Sequence, residues 1–152
     1  MKKSIILLTL ICLLLSGCSK APKPEVLNME ASGYNWTVDV EIPYTPEREQ
    51  DYFKATFSIP WNPESLFSTK DTISFSYGTS IGDIIYTYHK TTGFIRPDDC
   101  KDPLDLERVT RISEDTFEVL FDMKFIDINL EPGEQRIVIA VDDDQRELSL
   151  KE

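Results

Sequence analysis

The sequence predicts an all-β protein, an antiparallel sandwich of about seven to nine strands. Three observations carry this. Short segments in which apolar and polar residues alternate recur along the chain, as in "WTVDVEI" (36–42) and "DTISFSY" (71–77). Proline and glycine fall between those segments rather than inside them. Outside the first 17 residues, no stretch holds the 3.6-residue period of an amphipathic helix over several turns.

The elements follow in chain order. Lys2 and Lys3 precede an uncharged apolar run of 11 residues, Ile5 to Leu15. A transmembrane helix needs roughly 20 such residues, so this run is too short to span a bilayer and reads as the core of an export signal. The run closes on Leu15-Ser16-Gly17-Cys18, which resembles the bacterial lipobox, the recognition sequence of lipoprotein signal peptides. The resemblance implies that residues 1–17 are removed and that the Cys18 thiol carries a diacylglyceryl group, with the new N-terminus often acylated as well. Two or more acyl chains suit a stable anchor, because a single chain holds a membrane only marginally. It further implies an exported protein, tethered to the outer face of the cytoplasmic membrane in a monoderm cell. In a diderm cell Ser19, standing where Asp would mark inner-membrane retention, permits passage to the outer membrane.

Residues 18–32 contain Pro22 and Pro24 among small and charged side chains and are expected to form a flexible, partly extended tether. The remaining residues, 33–152, suit a single domain with a sizeable core. In "WTVDVEI", Trp36, Val38, Val40 and Ile42 fall on one face and Thr37, Asp39 and Glu41 on the other, the alternation of a half-buried strand. "ATFSI", "DTISFSY", "IIYTYH", "DTFEVLF", "KFIDINL", "RIVIAVD" and "RELSLK" continue the pattern. "TPEREQ" and "NPES" place Thr45 and Asn62 as caps of single helical turns, each followed by Pro at the first helical position.

The segment 129–151 resembles the closing strands of bacterial immunoglobulin-like and fibronectin type III-like domains. Leu130, Pro132 and Gly133 occupy the turn, Ile137, Ile139 and Val141 alternate, and Asp142 to Gln145 make the last turn. The tyrosine that the pattern places shortly after the first turn is absent, and no Cys-Trp-Cys core is present. The resemblance implies an immunoglobulin-like sandwich.

Charge narrows the partners. The formal net charge is −11; without Lys2 and Lys3, 14 basic residues stand against 27 acidic ones, a net −13. Nucleic acids and anionic headgroups require a basic surface to displace their counterions, so nucleic-acid binding is excluded. Apart from the bilayer reached through Cys18, the expected partner is a protein, peptide or wall ligand, and the charge favours a cationic one. With Cys12 in the signal and Cys18 acylated, Cys100 stands alone in "PDDCKDP". The surrounding carboxylates raise a thiol's pKa and make it a poor nucleophile.

Catalytic signals are weak. His89 is the sole histidine and comes with no HExxH, GxSxG or Cys-His pattern, so it reads as a strand-end residue. A glycosidase needs two carboxylates about 5 to 9 Å apart, a spacing that abundant acidic residues meet by chance. Asp98, Asp99, Asp102 and Asp105 in one loop, and Asp142, Asp143 and Asp144 with Glu147 in another, are weak Ca²⁺ candidates without EF-hand spacing. Trp61, between Pro60 and Pro63, either caps the sandwich or touches a ligand. "NWT" at Asn35 fits a glycosylation sequon, which has no meaning in a bacterial lipoprotein. The expectation is a non-catalytic, cofactor-free binding or structural module on the cell surface. The alternatives are a decoy or immunity lipoprotein that captures a cationic antibacterial peptide or enzyme, and a carboxylate-dependent hydrolase.

Overall fold

A computed structural model describes residues 26–44, 52–60, 69–98, 106–131 and 133–152. Its eleven strands are β1 (Val26–Ser32), β2 (Thr37–Pro43), β3 (Tyr52–Ser58), β4 (Thr72–Gly78), β5 (Asp83–His89), β6 (Gly93–Ile95), β7 (Val109–Arg111), β8 (Thr116–Asp122), β9 (Val138–Val141), β10 (Asp144–Glu147) and β11 (Ser149–Leu150). They form two antiparallel sheets, one ordered β11-β1-β2-β3-β8-β7 and the other β10-β9-β4-β5-β6. The sheets pack as a sandwich, the architecture that the alternation predicts.

Period two builds the core. Leu27, Met29 and Ala31 on β1, Val38, Val40 and Ile42 on β2, Phe53, Ala55 and Phe57 on β3, and Phe117, Val119 and Phe121 on β8 all point inward from one sheet. Ile73, Phe75 and Tyr77 on β4 meet them from the other. The rings interlock: Phe57 and Phe75 centroids lie 4.8 Å apart, Phe53 and Tyr77 4.9 Å, and Phe75 and Phe117 5.3 Å. Such tilted and edge-on contacts add about 0.5 to 1.5 kcal/mol each beyond the area they bury. Arg108 is the one buried charged residue among those described, and its guanidinium carbon sits 3.7 Å from the centre of the Tyr52 ring.

The structure corrects several of the sequence-based expectations. Val26–Ser32, assigned to the tether, is β1; it pairs with β2 along its whole length and with β11 at Met29 and Glu30, so this segment belongs to the sandwich. "KFIDINL" is not a strand. Met123–Phe125 form a 3₁₀ turn capped by Asp122, whose side chain accepts the Lys124 N–H, and Asp127 Oδ1 accepts the Asn129 N–H at 2.9 Å. Gln135 fastens the same segment, accepting the Asp127 N–H and donating to the Phe125 carbonyl. These side chains satisfy backbone groups that a ladder would otherwise need. The strand count exceeds the expected range because β6 and β7 are three-residue edge strands, too short to register as alternation. Finally, the last turn is Asp142-Asp143 alone. Asp142 takes φ 51°, Asp144 pairs with Val141, and Gln145 already belongs to β10.

"RELSLK" also divides. β10 edges the five-stranded sheet and β11 the six-stranded one, with buried Leu148 between them donating its N–H to the Ile137 carbonyl. The C-terminal segment thus stitches one margin of the sandwich.

Candidate functional site

The two outer faces differ in chemistry. On the six-stranded sheet the outward positions carry Glu30, Asp39, Glu41, Lys54 and Glu118, with Lys54 bridged to Glu41 at 3.0 Å and Lys151 bridged to Asp39. On the five-stranded sheet the outward positions of β4 are Thr72, Ser74, Ser76 and Gly78, the last two flanked by Ala140 and Val138 on β9 and by Ile85 and Asp83 on β5. Register aligns them: Ser76 lies between Ala140 and Ile85, and Gly78 between Val138 and Asp83.

Small side chains on the middle strand and longer ones beside it make a trough. Ser76 and Gly78 form its floor, Ile85 and Asp83 one wall, and Val138, Gln145 and Arg136 the other, around an open volume of about 760 Å³. Thr79 and Ser80 close one end; the Asp142-Asp143 turn closes the other.

The rim is acidic in effect. Arg136 is held by Glu147 at 2.7 Å, which offsets its charge. Asp142 is fixed in place: Oδ1 accepts the Ser74 N–H at 3.0 Å and Oδ2 pairs with Lys70 at 3.3 Å. Asp83 and Asp143 are exposed, one at each end of the trough. Gly78 and Ser74 lie four residues apart, so along β4 these acidic ends are separated by about 13 Å.

Asp142 and Asp144, Ca²⁺ candidates of the last turn, turn to different partners. Asp142 serves β4, whereas Asp144 turns to the β1–β2 hairpin, where Oδ2 accepts the Tyr34 N–H at 2.7 Å and the Trp36 Nε1–H at 2.9 Å. Asp144 Oδ1 pairs with Arg146 at 2.7 Å. Among the described residues, no three His, Cys, Asp or Glu side chains lie close enough together to hold a metal ion. His89 Nδ1 accepts the N–H groups of Thr91 and Thr92 at 3.1 and 3.3 Å, capping the turn into Gly93, which takes φ 82°. Its ring is thereby committed to a turn. Leu15, Ser16, Gly17, Cys18, Trp61, Cys100, Asp99, Asp102 and Asp105, with the helical turns begun by Thr45 and Asn62, lie outside the described residues.

The trough is the feature that the sequence reading missed. Its signal is present in "TISFSYG", where the outward positions hold Thr, Ser, Ser and Gly, in contrast to the Asp and Glu of "TVDVEIP". No family model, curated protein or solved structure matches the chain.

Proposed function

We propose that this chain is an exported, lipid-anchored surface protein with an immunoglobulin-like sandwich that acts as a non-catalytic binding module, and that the trough on the five-stranded sheet receives its ligand. One observation carries the reading. A sandwich needs one face of each sheet for its core, and solubility is served by charge on the other. The six-stranded sheet follows that rule, while β4 and β9 of the five-stranded sheet keep short, uncharged outward side chains beside an open volume of about 760 Å³. Exposed concave surfaces with few charges at their centre and polar rims are where proteins receive partners. The anchor rests on the lipobox resemblance, and the Leu15-Ser16-Gly17-Cys18 sequence supplies the acceptor thiol.

Two measurements test the two halves. Metabolic labelling with a fatty-acid probe is expected to mark the wild-type chain and not Cys18→Ser; labelling that survives the substitution contradicts the anchor. For the site, Ser76→Arg places a long cation on the trough floor without touching the core. A partner retained from the producing cell's envelope by the wild type is expected to be lost by Ser76→Arg, and equal retention contradicts the assignment.

A further inference from the structure

We propose that the occupant of the trough is an extended basic polypeptide segment, lying along β4 with cationic side chains reaching the two acidic ends and a small apolar side chain over the floor between them. The inference rests on the trough being the ligand face and adds the chemistry of what fills it.

Three observations converge on this. The trough runs over β4, and Asp83 on β5 and Asp143 on the β9–β10 turn stand at its opposite ends, on either side of β4 and about 13 Å apart along the strand direction, the rise of four extended residues. Residues i and i+4 of an extended chain face the same side, so one segment presents two cations to both carboxylates and a third side chain to the floor. The floor of Ser76 and Gly78, with Val138 and Ala140 beside it, suits an aliphatic side chain rather than a ring or a charge. Charge then decides the sign of the partner. Among the described residues Arg136 is the one cation lining the trough, and Glu147 holds it at 2.7 Å. The whole chain carries −11, so a basic segment is drawn to the surface at long range and retained by the rim at short range, whereas an acidic one is repelled at both.

The test uses the full chain in neutral detergent micelles and three fluorescent, end-blocked heptapeptides: one with Lys at positions two and six and Leu at four, one with Glu in place of both Lys, and one with Ser in place of both. Anisotropy titrations are expected to show binding of the lysine peptide that weakens with salt, and at least tenfold weaker binding of the glutamate peptide, about the range of a rim charge set. Asp83→Asn with Asp143→Asn is expected to weaken the lysine peptide about fivefold or more, and Ser76→Arg about tenfold. The control Glu30→Gln with Glu118→Gln removes two charges from the opposite face and is expected to change binding less than about twofold. Equal losses from the control and the trough pair would overturn the inference, because they would mean that net charge alone attracts the peptide. If the serine peptide binds as tightly as the lysine peptide and Ser76→Arg abolishes both, the trough remains a ligand face and the basic occupant is wrong. Absence of binding by the lysine peptide also overturns the inference, while the envelope retention lost in Ser76→Arg would still support the site.

Discussion

Gly33 lies directly beneath the indole of Trp36, and a Cβ at that position would stand 2.1 Å from Trp36 Nε1 and 2.5 Å from Asp144 Oδ2. The β1–β2 hairpin therefore depends on a residue without a side chain, and the indole it admits is 4% exposed and bonded to Asp144 at 2.9 Å. Gly33→Ala is expected to cost about 1 to 3 kcal/mol by displacing the ring. Asp144→Ala is expected to cost about the same by leaving the buried Nε1–H unbonded; both are read by urea titration. Tyr77 makes a different kind of link. Its hydroxyl donates to the Asp122 carbonyl, joining the two sheets. Burial raises its pKa far above the ordinary 10.0; the Phe125 N–H opposes this, and the charge on Asp122 and the neighbouring Tyr86 add to it. Tyr44, whose hydroxyl donates to the Leu130 carbonyl, is raised by burial and then by Glu131, Asp127 and Glu134. A folded state that holds these protons more tightly than the unfolded chain is stabilised fully below pH 10 and loses that contribution as pH rises beyond it. The unfolding free energy should therefore fall above about pH 10, and Tyr77→Phe should flatten the fall while lowering stability at neutral pH. A slope unchanged in Tyr77→Phe would show that this phenol does not set it.

At the scale of the element, β9 tests the period-two reading. Ile139 is 0% exposed, and Val138 lies on the opposite face, beside the trough. Ile139→Ala should cost about 2 to 5 kcal/mol, the range for a core aliphatic side chain that leaves a cavity, and Val138→Ala distinctly less. A larger loss from Val138→Ala would mean that the register is slipped by one residue. Ala140 is also buried at 2% exposure, so the outward face of β9 is partly covered by its neighbours rather than open along its length. Alternation read β2, β3, β4 and β8 correctly because each buries one face over seven residues. It failed where other forces decide. β1 alternates Leu27, Met29 and Ala31 against Asn28 and Glu30, but the prolines just before it drew the whole segment into the tether. In "KFIDINL" the alternation is real, yet the Asp122, Asp127 and Gln135 side chains take the backbone bonds that would have made a ladder. Three-residue β6 and β7 exist through their longer partners, and short edges of this kind resist unwanted strand pairing.

At the scale of the whole molecule, the two sheets share one core and divide the surface between them. Glu30, Asp39, Glu41 and Glu118 concentrate acid on one face, while the other keeps Ser76, Gly78 and Ala140 along the trough. Which residues are small was legible in the sequence. That the small ones of β4 and β9 lie side by side was not, because more than sixty residues separate Ser76 from Ala140 and only the β4–β9 register brings them together. The acidic ends were likewise visible only as scattered carboxylates until the Asp142-Asp143 turn and Asp83 were placed at opposite ends of one strand. The polarity of β1 adds a geometric consequence. Val26 pairs with Pro43 at the end of the sandwich opposite the Gly33–Trp36 turn, so that hairpin, with Tyr34 86% exposed, lies at the far end of β1 from Val26. The central claim is that the trough face, and not the charged face opposite, meets the ligand. Photo-crosslinking on living producer cells tests it most directly, with a benzophenone amino acid placed at position 76 in one strain and at position 56, the outward Thr56 of β3, in another. The account predicts a discrete crosslinked adduct from position 76 and none from position 56; an adduct from position 56 alone, or none from position 76, would contradict it.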